Sequence, residues 1–184
     1  MIDCSFHDYY YAQKLLVSGT NIEAISMKSP HQKYNCRWSS FDQLTTYELY
    51  EILRARQEVF AVEQECVYQD LDGKDLYAWH FTCWDSQQES PTLLAYLRLV
   101  PPGKKYAEPS IGRVLTRKSV RGTGIGKELM RLGIEHTLRQ FPAAPIRISA
   151  QLYLKRFYEE FGFVQSTEEY DEDGIPHIEM LRRE

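Results

Sequence analysis

The sequence predicts a mixed α/β domain: a twisted sheet of six to seven strands with helices on both faces. Three observations predict it. Residues 110–140 read as a strand, a glycine-rich loop and a helix in succession. Two further segments, 46–60 and 151–161, repeat apolar residues at the helical period. The other apolar runs are short, rich in β-branched and aromatic residues, and bounded by turn formers, as strands are. A chain of 184 residues with 43% hydrophobic residues holds one core of this kind.

Residues 1–33 are read as an appendage and 34–184 as the domain. Within the appendage, residues 12–17 suit a short helix, Ser18-Gly19 breaks it, and 29–33 read as a linker. Residues 34–39 form the first strand. Thr45 and Glu48 make a capping box. The helix behind them places Leu49, Ile52, Leu53, Arg56 and Phe60 on one face. Residues 68–75 are an acidic stretch with a turn at Asp72-Gly73. It lacks the ligand order of a calcium loop and reads first as solvated, second as a contact for a substrate amine.

Strands over 77–84 and 92–100 follow, joined by a polar loop, with Leu94, Tyr96 and Arg98 facing opposite to Leu93, Ala95, Leu97 and Leu99. Residues 111–116 are a strand. The helix that starts near Ile125 carries Ile125, Leu129 and Leu132 on one face and stops near Phe141-Pro142. A short strand over 145–149, a helix over 151–161 capped by Gly162, and strands over 163–167 and 177–181 complete the chain. An acidic loop over 170–176 separates the last two strands.

The net charge of −4 argues against a nucleic-acid binder. No apolar run approaches the ~20 residues of a membrane span, and the start is not that of a signal peptide. Cys4, Cys36, Cys66 and Cys83 form no Cys-x-x-Cys and no zinc spacing. They read as reduced thiols, which favours a cytoplasmic protein, and no metal is expected.

Chemistry concentrates at Arg121, Gly122, Thr123, Gly124, Ile125 and Gly126. Glycines bring bare amides to a ligand, and the first N–H groups of a helix lack internal partners. Together they predict a phosphate or pyrophosphate site. A Walker A loop fails by one residue and by Glu128 after Lys127; a Rossmann fingerprint fails at Lys127.

The pattern Arg121-x-x-Gly124-x-Gly126, between strand and helix, resembles motif A of the GCN5-related N-acetyltransferase (GNAT) superfamily. Residues 150–163, with Tyr158 and the Gly162-Phe163 ending, resemble motif B. Residues 59–73 and 172–178 resemble the ElaA-like branch of that superfamily. The resemblance runs from about Arg37 to the C-terminus. One departure is Ser149-Ala150-Gln151 where many members carry Asn.

The resemblance implies a splayed central strand pair and acetyl-CoA as co-substrate, its pyrophosphate on residues 121–126 and its pantetheine arm along Arg113, Val114 and Leu115. It implies acetyl transfer to a primary amine of a small molecule or of a peptide, with a homodimer left open. A non-catalytic CoA sensor and an acyltransferase for longer chains are the rival readings. Taken alone, Tyr158 reads as a core tyrosine with its hydroxyl at the rim; the resemblance makes it the general acid. The base is sought among Glu63, Asp70, Asp72, His80, Glu172 and His177, or in a water chain. His177 leads because a histidine titrates in the useful range. Glu63, Asp70, Asp72 and Glu172 are the candidates for holding the amine.

Overall fold

In the computed structural model, which describes residues 24–29, 32–85 and 91–183, nine strands share one sheet. β1 (Ala24–Ser29), β2 (Gln32–Ser40), β3 (Trp79–Asp85), β4 (Thr92–Val100) and β5 (Ser110–Thr116) run antiparallel in chain order. β6 (Ile146–Gln151) lies parallel to β5, and β9 (Ile175–Arg182) antiparallel to β6. β7 (Val164–Gln165) and β8 (Tyr170–Glu172) both pair with β9.

Helices cover both faces. On one, α1 (Thr46–Arg56) buries Ile52 and Ala55, and the turn after it Val59, against Leu93, Tyr96, Trp84 and Leu115. Thr45 caps it, its hydroxyl accepting from the Glu48 amide while the Glu48 carboxylate accepts from the Thr45 amide, as the capping box predicts. Leu49 and Leu53 are only half-buried; Glu51 and Ala55 take the inner positions instead. The helix then widens into a π-helical segment, Gln57–Glu63.

On the other face, α2 (Ile125–Gln140) packs Ile125, Leu129 and Leu132 against Leu97, Leu99 and Ile111. A side chain at Gly133 would come within 2.7 Å of Leu97, so this glycine lets α2 sit close to the sheet. The helix expected over 151–161 is a 3-10 turn, Leu152–Leu154, followed by α3 (Lys155–Glu159), and Gly162 ends it with φ +80°.

β1 lies inside the stretch read as an appendage and pairs along β2; the helix expected over 12–17 lies outside the described residues. The structure corrects the sequence reading at several other points. The acidic loop over 170–176 is a hairpin: Asp173 and Gly174 both take positive φ between β8 and β9, the turn an Asp-Gly pair favours. In β4 one extra residue, Leu94, shifts the register between Cys83 and Trp84. Beyond that bulge the faces exchange, so Leu94 joins Ala95 in one cluster and Leu93 joins Tyr96 in the other. Cys36 and Cys83 are not free thiols. They oppose each other on β2 and β3, fully buried, and form a disulfide. Cys66 is a buried free thiol.

The acidic stretch 68–75 is not a solvated loop. Arg56, fully buried, donates to Asp70 at 2.8 Å and to Asp75 at 2.6 Å. Arg98, 2% exposed, donates to Asp72 at 2.8 Å and to Asp75 at 2.9 Å. Arg113 donates to Asp70 at 2.6 Å. Three guanidiniums and three carboxylates interlock under the sheet. Burial works to raise the Asp72 and Asp75 carboxyls, but the arginines overcome it and hold both below the usual range.

β5 and β6 touch at one register pair, Ser110 with Arg147, and then part. Arg147 pins the point of contact, donating to Glu108 at 2.7 Å and to Glu179 at 2.8 Å. Within β5, Arg113 and Val114 together face Leu97: Gly112 pairs with Arg98 and Leu115 with Tyr96. Arg113 has φ +53°, so this bulge bends the strand where it leaves β6.

Candidate active site

The parting of β5 and β6 opens a cleft of about 410 Å³. Gly112 to Thr116 form one wall and Ser149 to Gln151 the other. The π-helical segment with Glu63 lines it too, as do Glu172, Asp173 and His177 near the β8–β9 hairpin. Arg121, Lys105, Tyr153 and Tyr158 are also part of the lining.

The glycine loop follows directly on Arg121, which lines the cleft. Gly122 and Gly124 take φ +78° and +89°, a conformation that costs a side chain roughly 1–2 kcal/mol. Gly124 is the N-cap of α2. Among the described residues, nothing accepts a hydrogen bond from the amides of Gly122, Gly124, Ile125 or Gly126, while the Thr123 amide makes a long 3.4 Å contact to the Val120 carbonyl. These four donors lie at the positive end of a 16-residue helix. The Arg121 side chain turns back instead, donating to the Thr116 carbonyl at 3.1 Å and to the Glu63 carboxylate at 3.0 Å. That hydrogen bond holds the Glu63 carboxyl below its usual value, against a smaller opposing effect of burial.

Val114 packs into the core on the α2 side and Leu115 on the α1 side, while the β6-facing edge of their main chain has no strand beside it. Arg113 lines the cleft, and its guanidinium reaches Asp70 and lies over the Tyr68 ring.

Tyr158 is 7% exposed and lies edge-on to Phe157 and Phe163. Burial, with the Tyr153 phenol nearby, raises its pKa, so the hydroxyl is protonated at neutral pH. No described group bonds that hydroxyl. His177 donates from Nδ1 to the Ile175 carbonyl at 2.8 Å, which leaves the Nε2 lone pair available in the neutral ring. The Glu172 carboxylate accepts from the Ser149 hydroxyl at 2.8 Å and from the Tyr170 hydroxyl at 3.2 Å. Burial works to raise its pKa; Ser149, His177, Lys105 and Tyr170 together lower it.

The cleft thus gathers Arg113, Val114, Leu115, Arg121, Glu63, Tyr158, Glu172 and His177; residues 122–126 adjoin it through Arg121 and are not among its lining. It does not gather Asp70 and Asp72, whose carboxylates are held by arginines, nor His80. His80 is fully buried between the Tyr96 hydroxyl and the Asp75 carbonyl, and burial pushes its pKa down to about 4. Lys105, Ser149 and Gln151 also line the cleft, and Tyr170 bonds Glu172 from beside it; the sequence gives none of them a role. Sheet pairing across 20 or more residues brings Ser149 to Glu172, which no local pattern announces. Among the described residues, no cluster of three His, Cys, Asp or Glu is set to hold a metal.

A family model described as an acetyltransferase (GNAT) domain matches residues 87–183. ElaA of Escherichia coli is 39% identical over 142 residues, covering 76% of this chain and 90% of that protein. The chain belongs to the GNAT acetyltransferase family, in its ElaA-like branch. A UPF0039 protein of Synechocystis is 44% identical over 149 residues, 81% of this chain and 95% of its own. The crystal structure of an acyl-CoA N-acyltransferase from Pseudomonas aeruginosa superposes with a TM-score of 0.75 at 40% identity, covering 81% of this chain and 99% of that one. The E. coli ElaA crystal structure gives 0.75 at 36% identity, covering 82% and 99%. As a GNAT member the protein is an acyltransferase that uses an acyl-CoA co-substrate. Among the described residues no helix is long and apolar enough to cross a membrane.

Proposed function

We propose that this protein transfers the acetyl group of acetyl-CoA to a primary amine by direct attack. The observation that carries the reading is the row of unpaired amides at Gly122, Gly124, Ile125 and Gly126, next in the chain to Arg121, which lines one cleft with Tyr158 and His177. The pyrophosphate binds those amides. The pantetheine arm lies along the free edge of residues 113–115, as an added strand would. The thioester then stands near Leu115, where a main-chain N–H aimed at the developing oxyanion contributes roughly 3 kcal/mol.

The amine arrives as an ammonium beside Glu172 and gives a proton to His177 Nε2. Its nitrogen attacks the carbonyl carbon, the C–N bond forms and the C–S bond breaks. The leaving thiolate takes a proton from Tyr158, which the second proton of the attacking nitrogen restores. The sum is amide, free CoA thiol and one proton released to solvent. We place the protein in the cytoplasm, where the co-substrate is made; the cysteines give that placement no support, because Cys36 and Cys83 are paired.

Calorimetry with acetyl-CoA and a thiol-release assay over an amine panel test the reading. No binding heat at millimolar co-substrate overturns it. Tyr158→Phe is expected to lower kcat about 100-fold with acetyl-CoA affinity unchanged. A CoA sensor would keep its function in that variant. Phe157 and Phe163 pack edge-on against Tyr158, with Phe161 behind Phe157, and we take this aromatic packing to favour a short acyl group. Turnover of octanoyl-CoA above acetyl-CoA would reverse that assignment.

A further inference from the structure

Two opposite charges line the inner end of the cleft without pairing. Lys105, on the loop between β4 and β5, forms no ion pair within 4.0 Å among the described residues. Its ammonium lies 4.8 Å from the centre of the Tyr106 ring. Glu172, on β8, is held by the Ser149 and Tyr170 hydroxyls through one oxygen, Oε2. No described group donates to its other oxygen, Oε1. The two residues are near enough to feel each other's charge. Both line the cleft, and among the described residues no ion pair joins them. Other cations near Lys105 do not compete for an anion there: Arg98 and Arg113 are taken by Asp70, Asp72 and Asp75.

A bare amine satisfies Glu172 alone. A ligand with both signs satisfies both groups. We propose that the acceptor is an amine that also carries a carboxylate, such as a free amino acid, with its carboxylate on Lys105 and its ammonium on Glu172. Beside Glu172 the ammonium also lies near His177, whose Nδ1 bond to Ile175 leaves Nε2 to take the proton. The carboxylate contact turns the nitrogen toward the cleft and away from the loop that carries Lys105. This inference rests on the acetyltransferase reading and narrows its acceptor class.

The test is a thiol-release assay with matched acceptors: amino acids, their carboxamides and the corresponding decarboxylated amines, with acetyl-CoA held constant. Amino acids are expected to show kcat/KM roughly tenfold or more above their carboxamides, the size of a charge-assisted hydrogen bond. Lys105→Gln is expected to erase that ratio through KM for the acids. It should lower the carboxamides far less than the acids, since for them only the charge that Lys105 lends Glu172 is lost, and leave the KM for acetyl-CoA unchanged, which a general loss of fold would not do. Equal or better turnover of decarboxylated amines overturns the inference and leaves the transferase reading standing, as does an undiminished ratio in Lys105→Gln. If no amine of any kind releases thiol while acetyl-CoA binds, the transferase reading falls, and this inference with it.

Discussion

Around Asp70 and Asp75, three guanidiniums meet three carboxylates at hydrogen-bond distance. Around Gly124 the donors are uncharged amides with nothing opposite them. The acidic stretch looks more like a binding site on paper, yet its charges are already matched from within. Unmatched donors, not charge density, mark the place that a ligand can occupy. The matched cluster still matters to the cleft, since Asp70 grips Arg113 at the bulge where β5 parts from β6.

The largest expected effect breaks the matched side. Asp75→Ala leaves Arg56, fully buried, without its 2.6 Å partner, and removes one of the Arg98 contacts. Stability should fall by about 3–5 kcal/mol in urea unfolding. A loss below 1 kcal/mol would mean that the cluster is not acting as a buried ion pair.

A second effect comes from His80, which the same cluster buries. Its folded pKa, about 4, lies below the ordinary 6.5. Between these values the unfolded chain takes up a proton that the folded chain refuses. Stability therefore falls as pH drops from about 6.5 and levels off below about 4, by about 3 kcal/mol in all. Asp72 and Asp75, whose carboxyls are depressed, contribute stability that is lost at still lower pH as they protonate. His80→Gln should flatten the upper part of the profile; an unchanged slope would assign it to other groups.

On the unmatched side, Gly124→Val forces a β-branched residue to φ +89°. The loop should distort at a cost of roughly 1–2 kcal/mol, and acetyl-CoA affinity should drop about tenfold or more by calorimetry. Arg121→Ala gives the smallest change. Its guanidinium is engaged with Thr116 and Glu63, so affinity should shift by less than about fivefold, the scale of an exposed pair. A larger loss would move the anion site from the main chain to the side chain.

What could be read in advance follows the range of the interactions. The capping box at Thr45, the start of α2 and the glycine loop rest on neighbours within a few residues, and each was legible. The partners of the charged cluster are separated by 14 to 43 residues, so the acidic stretch could not be seen as buried. The Leu94 bulge was hidden because alternation assumes an unbroken pleat. The Asp173-Gly174 pair is a hairpin signal in its own right, but without a strand pattern in Tyr170–Glu172 the acidic residues around it read as a loop. Tyr158 and His177 were picked out and do line the cleft. Lys105 was not, because a loop lysine next to another lysine carries no local sign of what faces it.

The contact between β5 and β6 has a mechanical consequence. One peptide bridge joins two half-sheets, and beyond it the backbone offers no further stitching. A thioester carrier lying in the gap would act as mortar, gripped by both halves at once. Heating the protein with saturating carrier should therefore raise its melting temperature by the mass-action amount, and amide exchange should slow first in residues 112–116 and 149–151, along the seam itself.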